Sequence, residues 1–213
     1  MLLNGIQQQD AHEAFIKVTS ILHDGTTKCI IPDLPPDLIE DSMLTSFPRF
    51  LFRFEIVKEY TCEICNTKSS KQESLEEITL NSETYNNIND MIKEYWTSKF
   101  ERSCMKCKTD TTHLANTKLL SHPRVLRLLV LRFDNNLAKI EKPININQDI
   151  TVYGTKFSLL SMINHHGISR KSGHYTATVK YKNWWTADDN NIRPFSLSCL
   201  SSNKTAYLIF YKQ

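Results

Sequence analysis

Apolar and polar positions change rhythm along this chain, and the rhythm predicts its elements. Near the start, Ala11, Phe15, Val18 and Leu22 fall at i, i+4, i+7 and i+11, the single stripe of an amphipathic helix. Asp10 sits where a helix cap belongs, and Glu13 three residues on completes a capping-box pattern. Gly25 stands where a C-cap glycine is expected. Residues 32–48 are Pro-rich and predict a connector with at most one turn of helix. Aromatic and β-branched residues over 49–61 predict a strand, and 69–80 a second. Ile88, Met91, Ile92, Tyr95 and Trp96 return to helical spacing within 87–100. Beyond Cys107 the pattern is strand-like: 113–121, 124–133, 149–163, 174–182 and 205–211. Few helices against many strands predict an α+β fold with an extensive antiparallel sheet.

Composition narrows the function classes. The 213 residues are 40% hydrophobic and 23% charged, ordinary for a globular domain with a sizeable core. A net charge of +3 is too mild to argue for nucleic acid or a membrane surface. The longest greasy run, 125–131, is interrupted by Arg127 and is far short of a membrane span. The opening MLLNGIQQQDAHE lacks the pattern of a secretory signal, so an intracellular, reducing compartment is expected. There, cysteines are metal ligands or catalysts more often than disulfides.

Four of the six cysteines are paired: Cys62-Glu63-Ile64-Cys65 and Cys104-Met105-Lys106-Cys107. Two residues between thiolates let both reach one ion from a tight knuckle, and two knuckles fill a tetrahedral shell. Four sulfurs leave no open position, so the spacing predicts a structural Zn²⁺ on Cys62, Cys65, Cys104 and Cys107. The plainer alternative is four free thiols or one redox pair. Cys29 and Cys199 lie outside any such spacing.

A second constellation sits in SGHYTATVKYKNWWTADD, residues 172–189. In a strand from His174, Tyr175, Ala177, Val179 and Tyr181 share the more apolar face, and His174 lies on the other with Thr176, Thr178 and Lys180. A turn near 181–183 brings the segment from Trp184 back beside it, and Asp188 toward His174. A carboxylate there can accept the Nδ1–H of the imidazole and leave Nε2 as a base for a nucleophile. The plainer alternative is a surface histidine beside a solvated Asp-Asp turn.

These motifs, in this order, resemble the ubiquitin-specific proteases. Gln8-Gln9-Asp10-Ala11-His12-Glu13 resembles that family's QQDAxEF box, with Ala14-Phe15 in place of Phe-Leu. The paired C-x-x-C motifs resemble its zinc-binding fingers. Pro123-Arg124-Val125-Leu126 with Leu131-Arg132-Phe133 resembles its P-x-x-L…L-K-R-F strand, with one basic residue where two are common. His166-Gly167, Ser172-Gly173-His174-Tyr175, Trp184 and Asp188-Asp189 resemble its His box, and 206–211 its closing strand. The resemblance implies a papain-like fingers–palm–thumb fold, with the thumb mostly missing. Residues 1–25 would be a thumb remnant, about 49–122 the zinc-binding fingers, and about 123–213 the palm. It also implies a deubiquitinase that takes ubiquitin or ubiquitinated proteins, with His174 as general base, Asp188 as its orienter and Asp189 as a helper.

One motif of that family is absent from these residues: the G-N-T-C box that carries the nucleophile upstream of QQD. Cys29 has no helix start behind it to activate a thiol, and Cys199 is no better placed. The expectation is therefore a deubiquitinase domain inactive alone, to be completed by an N-terminal segment carrying the Cys box. A catalytically dead ubiquitin-binding pseudoenzyme and a zinc-ribbon binding module are the rival readings. The apolar stripe of the first helix would pack on the missing thumb, and left exposed it would loosen residues 1–25 or promote aggregation.

Overall fold

The computed structural model describes residues 10–30, 46–134, 136, 138–169 and 172–213. Most of the predicted connector, and Gln8-Gln9, lie outside the described residues.

Helix α1 spans Ala11–Ile30. Asp10 caps it as expected: its Oδ1 accepts from the backbone N–H of His12 at 2.8 Å and of Glu13 at 3.2 Å. Glu13 reaches forward to Lys17 at 2.7 Å. The helix does not end at Gly25 but runs through it to Ile30, so Gly25 is an interior residue and not a cap. The predicted strand over 49–61 begins later. Ser46 caps a six-residue helix, α2 (Phe47–Phe52), with Pro48 in its first turn. A fixed φ and a missing donor suit Pro to that position and outweigh the strand-like composition.

Two sheets follow. Strands β1 (Phe54–Cys62), β2 (Lys68–Leu75), β4 (Thr97–Cys104) and β5 (Thr109–Leu119) form a four-stranded antiparallel sheet in the order β2-β1-β5-β4. An eight-stranded sheet runs β11-β10-β9-β8-β12-β6-β3, with β7 paired to β8. Its members are β3 (Ile78–Asn81), β6 (Val125–Leu131), β7 (Asp149–Val152), β8 (Thr155–Ser169), β9 (Ser172–Tyr181), β10 (Asn183–Asp188), β11 (Asn191–Pro194) and β12 (Ala206–Lys212). Only β3 joins in parallel. The α+β class with extensive antiparallel sheet is therefore observed.

Three predicted elements are redrawn. The strand over 69–80 splits into β2 and β3, one in each sheet. The helix over 87–100 ends at Trp96, as α3 (Ile88–Trp96), and its backbone turns directly into β4. Residues 149–163 are a hairpin, because Tyr153 and Gly154 both take positive φ, +48° and +81°, the requirement of a tight primed turn.

The main core lies under the larger sheet, where Leu128, Val130, Phe157, Ile209 and Tyr211 pack with Met91 of α3 and Ile56 of β1. Arg132 is also inside, 1% exposed, and donates to the carbonyls of Ala206, Lys142 and Asn203 at 3.0, 2.8 and 3.0 Å. Two of these acceptors, Asn203 and Ala206, flank the start of β12.

On the other face, α1 docks through Phe15, whose ring lies 5.6 Å from Phe52 and 5.3 Å from Phe210. The guanidinium of buried Arg127 sits over Phe15, and Glu77 bridges Arg127 to His12. The Tyr207 hydroxyl donates to Asp10 Oδ2 at 2.9 Å. Farther along the stripe, Val18 and Leu22 stay 48% and 44% exposed.

Candidate active site and metal cluster

The hairpin β9–β10 builds the acid–base pair. Tyr181 pairs with Asn183 and the chain reverses at Lys182, which takes φ +57°. Ala187 is the last residue of β10 paired with β9, opposite Ala177, so Asp188 lies one step beyond, toward His174. A second tight turn follows: Asp188 pairs with Asn191, and Asp189 takes φ +49°. The strand end carries one carboxylate and the turn the other.

His174 Nε2 lies 2.6 Å from Asp188 Oδ1. A carboxylate only accepts, so Nε2 carries the hydrogen and donates it. The pairing of His174 with Asp188 is as expected, but through the opposite nitrogen. Asp188 engages Nε2, not Nδ1, and Nδ1 is left as the basic lone pair.

The hydrogen bond that His174 donates to Asp188 holds the His174 pKa above the ordinary imidazole value, with the charges of Asp189 and Asp188 adding to it. Asp188 is held below the ordinary carboxylate range, first by His174 and then by the charges of His174 and Arg193. The two neighbouring histidines go the other way. Burial, then the Lys139 charge, lowers both His165 and His166. Of the three imidazoles on this edge, His174 is the one poised to hold a proton.

Gly173 makes the placement possible. A Cβ there would lie 2.4 Å from His165 Nε2 and 2.5 Å from the His166 carbonyl. The strand pairs His174 directly with His166, and only a residue without a side chain lets the two strands close that tightly.

The expected faces of β9 are reversed in burial. Thr176 and Thr178 are inside, Thr178 at 1% exposure, while Tyr181 is 72% exposed. The threonine hydroxyls accept from the Asn164 side-chain amide at 3.4 and 3.0 Å, so this polar face can be buried. Arg193, whose Nη2 lies 3.8 Å from Asp188 Oδ2, was not foreseen. Its signal was there in the alternation of NIRP after an Asp-Asp-Asn-Asn turn.

Beside this edge lies an apolar groove of about 450 Å³. Ala11, Ala14, Phe15 and Val18 of α1 form one wall, and Tyr175 and Ala187 belong to the other. Asp189 stands at its rim.

The four paired cysteines meet at the end of the smaller sheet. Cys62 is opposite His113 and Cys104 opposite Thr109, so β5 carries both knuckles together. The knuckles are alike. Asn66 and Lys108 follow the second cysteine of each pair with φ +57° and +59°, and their N–H groups bond back to the carbonyls of Cys62 and Cys104. All four sulfurs lie within 4.8 Å of one another and none is in a disulfide. The Cys62–Cys107 and Cys65–Cys104 separations are 3.9 and 3.5 Å. A tetrahedral thiolate shell with metal–sulfur bonds of ~2.3 Å has edges of ~3.8 Å. The cluster therefore fits a metal ion. The Thr111 hydroxyl, ahead of other causes, draws the Cys62 thiol down to about 6, while sharing with Cys65 pushes Cys107 up to about 12. His174, Asp188 and Asp189 also gather within 4.8 Å, though there a proton already bridges the first two.

The family model for ubiquitin carboxyl-terminal hydrolase matches residues 1–211. Ubiquitin carboxyl-terminal hydrolase 23 of Arabidopsis thaliana is 23% identical over 96% of this chain and 25% of its own length. Among solved structures, the yeast SAGA DUBm superposes with a TM-score of 0.81 at 19% identity, covering 96% of this chain and 50% of that one. The SAGA Ubp8/Sgf11/Sus1/Sgf73 DUB module bound to ubiquitin aldehyde gives 0.78 at 19%, over 98% and 50%. The chain thus spans half or less of the length of these relatives.

Proposed function

The chain belongs to the ubiquitin carboxyl-terminal hydrolase family, and from that membership we propose that it is the fingers-and-palm part of a ubiquitin-specific-protease-type cysteine deubiquitinase. The observation that carries the reading is the 2.6 Å contact between His174 and Asp188, whose chain neighbours Tyr175, Ala187 and Asp189 line a groove. Residues about 49–122 act as fingers and about 123–213 as palm. Ubiquitin lies between them, over the recess of about 340 Å³ that Tyr60, Phe100, Tyr95 and Met91 line. Zn²⁺ on Cys62, Cys65, Cys104 and Cys107 staples the fingers and takes no part in the reaction.

Asp188 fixes the tautomer and ring plane of His174 through Nε2. Nδ1 takes the proton of a thiol, and the resulting imidazolium is stabilised by Asp188 and the charge of Asp189. The thiolate attacks the carbonyl carbon at the ubiquitin C-terminus. As the carbon–nitrogen bond breaks, His174 returns the proton to the leaving amine. Water, deprotonated by the same nitrogen, then hydrolyses the thioester. The thiol itself comes from a segment bearing the Cys box, which seats on Phe15, Val18 and the palm wall of the groove. The chain alone is then inactive.

A ubiquitin carrying a thiol-reactive group at its C-terminus tests this. The expected result is no labelling of the 213 residues alone, and labelling of the added segment when a Cys-box peptide is supplied. Labelling at Cys29 or Cys199 would overturn the assignment of the nucleophile. Tight ubiquitin binding with the probe unreacted in the presence of the segment would make the chain a ubiquitin-binding pseudoenzyme instead.

A further inference from the structure

We infer that Thr111 is a positioning residue for the metal in the cysteine cluster, its hydroxyl donating a hydrogen bond to the Cys62 thiolate. The inference rests on the reading of that cluster as a zinc site.

Thr111 Oγ1 is 3.3 Å from Cys62 Sγ, and Thr67 Oγ1 is 3.2 Å from Cys65 Sγ. Both are within sulfur hydrogen-bond range. The two threonines differ in setting. Thr111 is on β5 and only 3% exposed, while Thr67 is on an exposed turn. A buried hydroxyl has no water to turn to, so its hydrogen must find an acceptor inside.

His113 fixes the direction of the bond. Its Nδ1 lies 3.0 Å from the Thr111 carbonyl and 3.5 Å from the Thr111 hydroxyl. An imidazole nitrogen beside a carbonyl oxygen carries the hydrogen. Nδ1–H therefore already serves the carbonyl and leaves nothing that would accept from the hydroxyl on that side. The acceptor in reach is the sulfur. When a metal binds, Cys62 loses its proton, and the hydroxyl faces a thiolate. An O–H donated to a coordinated sulfur stabilises the anion and orients its lone pairs, and outer partners of this kind commonly change metal affinity by about 10–100-fold. On the second knuckle, Cys104 Sγ receives the backbone N–H of Cys107 at 3.5 Å. The hydroxyl donor thus lies on the first knuckle.

The test is Zn²⁺ competition against a chromophoric chelator on the intact chain, with Co²⁺ substitution as a spectral readout. T111V keeps the side-chain volume and removes the donor. It is expected to weaken Zn²⁺ binding about 10-fold and to shift the sulfur-to-cobalt absorption to longer wavelength. T111S should restore both, which a packing role for the methyl would not. T67V should leave the affinity near wild type, since Thr67 Oγ1 accepts from Cys65 Sγ and gives it no hydrogen. T112V is the control, since the Thr112 hydroxyl goes to Glu101. Wild-type affinity and spectrum in T111V, or a T111S variant as weak as T111V, would overturn the inference. A wild-type chain that takes up neither Zn²⁺ nor Co²⁺ on four thiolates would instead remove the zinc reading, and this inference with it.

Discussion

The two sheets of this molecule are held in different ways. The eight-stranded sheet has a packed layer beneath it, with Leu128, Phe157, Ile209 and Tyr211 fully inside. The four-stranded sheet has no such layer along its outer half. Most of β2 is exposed, and toward the tip of β5 the buried positions are polar, Thr111 and His113. Cys62 and Cys104 are buried there in place of large apolar side chains. Burial stabilises by about 25 cal/mol per Å² of apolar surface, and a lone sheet buries too little to hold itself. A metal that draws four thiolates together can replace that missing core, because its binding free energy becomes folding free energy. The chemistry divides in the same way. The cysteine cluster joins two strand ends, while the His174–Asp188 pair rides on a hairpin that the large core already supports.

The largest expected effect comes from breaking the metal end. Strong chelation, or C62S with C104S, should strip hydrogen-exchange protection from β4 and β5 while β6 and β12 keep theirs. A single transition in which both sheets melt together would erase the distinction drawn here. Next is the large sheet itself. R132M leaves three main-chain carbonyls without their donor, at about 1–3 kcal/mol for each group left unsatisfied. It should lower stability by at least about 3 kcal/mol in urea unfolding, and a change below about 1 kcal/mol would say that water takes over the role. F15A removes a half-buried ring from the Phe52–Phe210 cluster and should cost about 1–3 kcal/mol, detaching α1 but not the sheet. Loss of β12 protection in F15A would mean α1 is part of the palm core.

The smallest effect on folding is at the dyad. D188N should lower the melting temperature only slightly and lower the His174 pKa toward the ordinary value in an NMR titration. The raised His174 pKa contributes stability that is present below the ordinary imidazole value and lost as pH rises through the raised one. The depressed Asp188 pKa contributes stability present above the ordinary carboxylate value and lost as pH falls through the depressed one. Both groups are on the surface, so salt weakens each contribution. An unmoved His174 titration in D188N would mean the bond is not formed in solution.

What could be read from the sequence was local. Cysteines with two residues between them, and a histidine and aspartate on one hairpin, stay near each other whatever the rest does, so each knuckle and the pair were legible. The cap at Asp10 was legible for the same reason. What escaped depends on neighbours distant in sequence. Polar β4, TSKFERSC, is a strand because β5 pairs with it, and nothing in its own alternation says so. Thr176 and Thr178 are buried because Asn164, twelve and fourteen residues away, satisfies them. Which nitrogen of His174 meets Asp188 is set by the rotamer of the ring, which spacing does not encode.

The central claim is that His174, oriented by Asp188, is a base for a thiol supplied by another segment. Cleavage of a ubiquitin C-terminal fluorogenic amide by this chain mixed with a Cys-box segment measures it directly. The expected result is turnover by the mixture, none by either part alone, and a fall of about 10³-fold or more when His174→Ala replaces the wild type. Equal turnover with and without the imidazole, or none although the segment and ubiquitin both bind, would contradict it.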